Sequence, residues 1–184
     1  MTGSTKSHTS SPNQLATPTD LRPEEVQAIC KAVNPLIADA LALYVKTKNF
    51  HWHVSGSHFR DYHMLMDEQA DALLDSVDVM AERVRRIGGT TIRSIGQISQ
   101  LQTIDDDQDE FVPPEQMIQR LLADNRHIAK QQRDAIEVCD KHRDTATSNR
   151  LQEILDGTER RIWFLYEVTQ GAESIQAMPG RKAA

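Results

Sequence analysis

The stretch HWHVSGSHFRDYHMLMDE (residues 51–68) joins two long helical patterns and holds four of the chain's seven histidines. In its middle, the segment VSGS (54–57) interrupts the helical pattern, because glycine and serine favour turns over helix interiors. One helix is therefore expected to end near residue 53 and another to begin near residue 58. The four histidines are either ligands of a metal site or ordinary residues that are close in sequence.

Before this break, apolar residues recur at intervals of three and four, which predicts a first helix over 22–53. Its predicted buried face consists of Val33, Leu36, Ile37, Ala40, Leu41, Tyr44 and Val45. Pro35 interrupts the pattern. Asn34 and Pro35 either start a helix as a cap and first-turn pair, or Pro35 kinks one longer helix.

After the break, a second helix is expected over 58–87, ending at a pair of glycines. The long connection that follows contains a predicted short helix near 94–101. Two more helices are predicted over 113–142 and 145–171. Two helix pairs separated by a long connection predict an all-α, ferritin-like four-helix bundle with a short helix between its second and third helices.

The length of 184 residues indicates one domain over 21–172, with a disordered N-terminal tail at 1–20 and a short C-terminal tail at 173–184. The net charge of −6 argues against a generally basic nucleic-acid surface and suits a protein that handles cations. The two cysteines form no CxxC motif, so a reducing cytoplasm is expected. An uninterrupted apolar run of membrane length is missing, so no membrane span is predicted.

The second helix carries a pattern of histidine and acidic residues that indicates a functional site. His63 and Asp67 are four residues apart, as are Asp78 and Glu82, so each pair lies on one helix face. The eleven steps from Asp67 to Asp78 leave these carboxylates only about 20° apart around the axis. The same side also carries Asp71 and Asp75.

Such an acidic stripe is either a solvated helix face or a cation-binding face. Few cations occur between residues 61 and 82, so these carboxylates are expected to lack i,i+4 partners, which favours cation binding. Imidazole and carboxylate together suit iron, manganese or zinc.

A distance limits how this site is built. Asp67 and Asp78 are about 16 Å apart along a straight helix, whereas metal–ligand bonds measure about 2 Å. One helix therefore cannot bring both pairs to one ion. Two copies packed antiparallel across a two-fold axis would do so, with the His63 and Asp67 pair of one subunit facing the Asp78 and Glu82 pair of the other. A two-fold contact gives two equivalent sites per dimer.

The remaining residues near the break have different expected roles. His51, at the end of the first helix, reaches the region of His63 if the two helices pack antiparallel. Trp52 is then either beside the metal or part of the core or an interface. His53 and His58 are expected to be surface or capping residues. The third helix presents two histidines that are predicted to face solvent, His127 and His142.

The stretch KTKNFHWHVSGSHFRDYHMLMDEQADALLDSVDVMAERVRRIGG (46–89) strongly resembles the Dps family, the DNA-binding proteins from starved cells or miniferritins. The H-W pair, the H-x3-D and the D-x3-E, at these separations, are that family's signature. The segment RIWFLYE (161–167) resembles the family's last helix, and the resemblance covers 22–171.

The resemblance implies a hollow shell of twelve subunits with dinuclear iron sites at the two-fold interfaces. Carried over by position, His51, His63 and Asp67 are catalytic metal ligands from one subunit, and Asp78 and Glu82 come from its neighbour. Asp71 and Asp75 lie outside that signature and are offered, together with Trp52, only as secondary contacts. Asp124 is a weak candidate for the acidic pores that the family implies.

The implied reaction is oxidation of Fe(II), with hydrogen peroxide preferred over dioxygen, followed by storage of ferric mineral in the cavity. Zinc is the alternative metal at the site. The alternative function is a non-enzymatic shell that sequesters zinc or manganese or compacts DNA, with the metal residues mainly stabilising the dimer. DNA binding has weak support, because the tails carry few cations: Lys6 in one, and Arg181 with Lys182 in the other.

Overall fold

Helices form nearly all of the regular structure in the computed structural model, which describes residues 15–170. Residues 1–14 and 171–184, which contain most of the two predicted tails, lie outside the described part of the chain. The described residues form five helices: α1 (Pro23–His53), α2 (Phe59–Arg86), α3 (Ile95–Leu101), α4 (Pro114–Lys141) and α5 (Thr145–Thr169). The predicted all-α fold, with its short helix in the long connection, is confirmed.

Pro35 lies inside α1, which continues through it as one helix. Proline removes one backbone N–H donor, and the helix tolerates that loss here without ending. The side-chain amide of the neighbouring Asn34 donates to the carbonyl of Thr90 at 3.0 Å. Of the two alternatives, a helix that starts at Pro35 is therefore wrong.

The helices pack as two pairs, with α1 against α2 and α4 against α5. The α1 helix also faces α4, α2 faces α5, and α3 lies on α1. Apolar side chains between them form two core clusters. One surrounds Phe50 and Leu121, and the other surrounds Ile29 and Leu151.

Most of the predicted buried face of α1 is confirmed, but the prediction is wrong for Val45, which is 61% exposed. Leu43 is fully buried instead. A residue two positions further along a helix points about 200° away. Val45 therefore faces outward wherever Leu43 faces the core.

By length and composition alone, α1 could cross a membrane, because an 18-residue window in it has a mean hydropathy of 1.5. It is the one helix in residues 15–170 that meets this criterion. Its position between α2, α3 and α4 explains the apolar composition, since both core clusters draw on it. The helix therefore does not by itself indicate a membrane.

Polar contacts hold the connections in place. The buried carboxylate of Asp39 accepts hydrogen bonds from the Thr103 hydroxyl at 2.8 Å and from the Ile104 amide at 3.0 Å, which ties the long connection to α1. At the end of α2, Gly88 has a φ of 85°, as a helix-ending glycine does. Arg85 donates to the carbonyl of Leu15 at 2.8 Å, so the residues just before α1 pack on this end.

Candidate metal centre

The end of α1 and the first turns of α2 bring His51 and His63 together. Their rings stack with centroids 3.7 Å apart and planes inclined by 21°. The Nδ1 atom of His51 lies 2.8 Å from the carbonyl oxygen of His63, and the Nδ1 atom of His63 lies 2.9 Å from the carbonyl oxygen of His51. This reciprocal pair of contacts fixes both rings against the backbone.

These contacts also determine the tautomer of each ring. A carbonyl oxygen only accepts hydrogen bonds, so each Nδ1 carries the proton and donates it. In the neutral imidazole, Nε2 is then unprotonated and its lone pair is free. Metal-binding histidines commonly have this arrangement, with one ring nitrogen anchored and the other available.

Asp67 lies one turn after His63, and its Oδ1 atom is 3.8 Å from Nε2 of His51. The same oxygen forms a salt bridge with the ammonium of Lys48 on α1. The hydrogen bond from Lys48 lowers the pKa of Asp67, and the same bond raises the pKa of Lys48. The carboxylate is therefore held in its charged form, and a metal ion would have to compete with Lys48 for it.

Sequence reasoning missed Lys48. It lies three residues before His51 and therefore on the same face of α1, and this spacing is the only signal for it in the sequence. Its role depends on a contact between two helices, and the pattern of α2 taken alone does not contain that contact. A second lysine on α1 acts similarly elsewhere, since the buried Lys46 binds the pore candidate Asp124 at 2.7 Å.

The second predicted pair, Asp78 and Glu82, is exposed further along α2. Glu82 pairs with Arg86, so the expectation that these carboxylates lack i,i+4 partners is wrong for Glu82. Residues 15–170 of a single chain contain no cluster of three or more histidine, cysteine or acidic side chains placed to hold a metal ion. The structure stacks His51 on His63 and brings Asp67 close to His51, but it does not bring Asp78 or Glu82 to them.

The face that carries these residues also exposes apolar side chains. Leu74 lies about 20° around α2 from His63 and is 44% exposed. Trp52 is 65% exposed, so it does not pack in the core of this chain. The side chains of the secondary candidates Asp71 and Asp75 are exposed as well. Exposed apolar side chains of this size are typical of interaction surfaces.

The other histidines lie away from this centre. His53 is exposed, with Nδ1 at 2.7 Å from the carbonyl oxygen of Asn49, and His58 is an exposed residue that precedes α2. Both fit the predicted surface or capping roles. His127 is exposed as predicted and contacts the Thr103 hydroxyl. For His142 the prediction is wrong, since it is half-buried at the end of α4.

Comparison with known proteins defines the class to which this fold and centre belong. Residues 30–175 match the model of the ferritin-like domain. A low temperature-induced protein from Nostoc sp. is 31% identical over 82% of this chain and 85% of its own length. A DNA protection during starvation protein from Brevibacillus brevis is 30% identical over 76% of this chain and 93% of its own length.

A solved structure agrees with these relatives. The Dps protein from Vibrio cholerae, described as a ferritin-like diiron-carboxylate protein, superimposes with a TM-score of 0.80. It is 22% identical and covers 87% of this chain and all of its own. The chain belongs to the Dps miniferritin family. That membership supports a general role in iron storage and in protection against oxidative damage.

Proposed function

We propose that this protein is a ferroxidase and iron-storage miniferritin that oxidises Fe(II) at dinuclear sites on a two-fold subunit interface. The observation that carries the proposal is the pair of anchored, stacked imidazoles of His51 and His63, with Nε2 of His51 at 3.8 Å from Asp67. Nitrogen and carboxylate donors together form a ligand set suited to iron. Iron is the substrate and cargo of this site.

A second copy of the chain completes the proposed site. Asp78 and Glu82 lie on the same side of α2 as Asp67 but about 16 Å and about 22 Å along it. Antiparallel packing of two α2 helices would place these carboxylates opposite the imidazoles of the other chain. The exposed Leu74 and Trp52 support this packing, because a two-fold contact would cover both.

In the proposed reaction two ferrous ions each give one electron to one hydrogen peroxide molecule. The peroxide O–O bond breaks, and each oxygen, which already carries one hydrogen, takes up one proton and leaves as water, so no hydroxyl radical is released. The protein supplies position and charge. His51 and His63 bind through Nε2, while the carboxylates neutralise the cations and favour the ferric state over the ferrous one.

Lys48 competes with a metal ion for the carboxylate of Asp67. Its ammonium neutralises Asp67 when no metal is bound, and an arriving cation has to replace it. The like charges of Lys48 and the metal repel each other, so metal binding requires the lysine side chain to move away from Asp67.

The test follows ferric absorbance after anaerobic addition of Fe(II) and then of peroxide. We expect the wild-type protein to oxidise iron rapidly, and His63→Ala and Asp67→Ala to oxidise it slowly. His53→Ala is the matched control, because this exposed histidine lies outside the centre and should leave the rate unchanged. Equal rates in all four proteins would reject the ferroxidase assignment, and zinc binding without iron oxidation would favour a sequestering shell.

The proposed shell of twelve chains has a mass that can be measured directly. Each chain weighs 20.8 kDa, so the native particle should have a mass of about 250 kDa. Native mass spectrometry that finds only monomers at working concentration would contradict both the shell and the shared site.

A further inference from the structure

A cavity lies between α2 and α5, away from the histidine centre. It measures about 100 Å³, and its lining includes Gln69 and Ala72 of α2 and Gly157 and Arg161 of α5. Gln69 and Ala72 lie roughly opposite the face of α2 that carries His63. The cavity is therefore separate from the proposed iron site.

Arg161 is the unusual residue of this cavity, because only 7% of it is exposed. Its Nε donates to the side-chain oxygen of Asn125 at 2.9 Å, and its Nη2 donates to the hydroxyl of Thr158 at 2.9 Å. Both partners are neutral. Within residues 15–170, no carboxylate forms a salt bridge with this guanidinium, so its positive charge is buried without a counter-charge.

A buried cation without an anionic partner is costly, because desolvation is not repaid by an opposite charge. Burial lowers the pKa of Arg161 to about 10, so the side chain remains charged at neutral pH. A guanidinium has five N–H donors, and the two bonds to Asn125 and Thr158 leave three of them. The remaining Nη1 atom lies 4.0 Å from the position that a Cβ on Gly157 would occupy.

The surroundings of Arg161 suit a small anion. Arg160 adds a second positive charge at the exposed rim, where its guanidinium lies 4.9 Å from the centroid of the Phe164 ring. Glu68, also at the rim, is the one acidic residue in the lining, so the three charges sum to plus one. In liquid water each molecule takes about 30 Å³, so the cavity has room for about three waters or one small oxyanion.

We propose that this cavity binds one inorganic oxyanion of the phosphate class per chain, held by the guanidinium of Arg161. The planar fork of arginine matches the oxygen atoms of phosphate and makes short, charge-assisted hydrogen bonds to them. The side-chain amide of Gln69, which is 5% exposed in the same wall, donates one N–H to the carbonyl of Arg161 at 3.5 Å, and its second N–H supplies a further donor. The bound anion would provide the counter-charge that residues 15–170 do not provide.

Equilibrium dialysis of the full-length protein against radiolabelled orthophosphate tests the proposal. The protein is first freed of metal with a chelator, so that iron cannot bind the phosphate, and ionic strength is held constant with chloride. We expect saturable binding of about one phosphate per chain. An absence of saturable binding would overturn the proposal.

Two variants and one control locate the binding. Ala72→Phe fills the cavity from an exposed position on α2 and should weaken binding about tenfold or more. Arg161→Lys keeps the charge but loses the fork and should also weaken binding, with circular dichroism confirming that both variants remain folded. Arg150→Gln removes an exposed arginine of the same helix, which pairs with Glu153, and should bind as the wild type does. Wild-type affinity in Ala72→Phe would overturn the assignment to this cavity.

Competition identifies the class of anion. Sulfate shares the tetrahedral shape of phosphate and should displace it, whereas acetate should displace it only weakly. Acetate competing as strongly as sulfate would overturn the phosphate-class assignment. The result does not depend on iron, so its failure would leave the ferroxidase proposal unaffected.

Discussion

Restoration of activity by mixing two inactive variants provides a quantitative test of the shared iron site. One variant, His63→Ala, damages the imidazole half of the proposed site, and the other, Asp78→Ala, damages the carboxylate half. If each site combines halves from two chains, a mixed dimer contains one site with both halves damaged and one site with both halves intact. Neither variant alone contains an intact site.

The expected recovery follows from this geometry. Random reassembly of equal amounts of the two variants makes about half of the dimers mixed, and half of the sites in these dimers are intact. About one quarter of all sites should therefore regain activity. A site built within a single chain would give no recovery, because every chain carries one damaged half.

The assay measures the rate of ferric absorbance and the anaerobic stoichiometry of Fe(II) binding. The variants are dissociated together, reassembled and compared with the same mixture that was never dissociated. A mixture of His63→Ala with Asp67→Ala is the matched control, since both changes damage the same half and no mixed dimer contains an intact site. Recovery near zero in the first mixture, despite complete reassembly, would refute the shared site.

Three further predictions concern individual contacts. Lys48→Met should raise the pKa of Asp67 and strengthen Co²⁺ binding, because no ammonium then competes for the carboxylate. NMR of the carboxyl group measures the pKa, and a Co²⁺ titration measures the affinity. In the wild type the ion pair of Lys48 with Asp67 is present above the ordinary carboxyl pKa of 3.8 and is lost as pH falls through the lowered pKa of Asp67. An unchanged pKa of Asp67 in the variant would contradict this ion pair. Asp144→Ala removes the side chain that caps the start of α5 and should lower the free energy of unfolding, measured in urea, by about 1 kcal/mol or more. A change within experimental error would count against the cap. Gly89→Ala should lower the free energy of unfolding by about 1–3 kcal/mol, because a Cβ there would collide with the sulfur of Cys30. This loss of stability should be smaller in a Cys30→Ala background, and equal losses in both backgrounds would exclude the collision.

The sequence by itself determined the helices and the face that carries the chemistry. Apolar spacing of three and four predicted α1, because burial of one stripe imposes that period on any packed helix. The VSGS break (54–57) and the glycine pair after α2 then placed the facing ends of α1 and α2 and the end of α2 within a residue or two. The same period put His63, Asp67 and Asp78 on one side of α2. Helix length then implied that a single chain carries only part of the proposed site, since 1.5 Å per residue is fixed by backbone geometry.

The tertiary structure decided which side chains from different helices meet. Pairing of Lys48 with Asp67 and stacking of His51 on His63 both depend on how α1 packs against α2, and no local pattern encodes that distance. The exposure of Val45 has the same origin, because the core selects one of several apolar stripes on α1. The burial of Arg161 could not be predicted from the sequence either, because arginine is mostly found at the surface and only the packing of the helices shows that this one is buried.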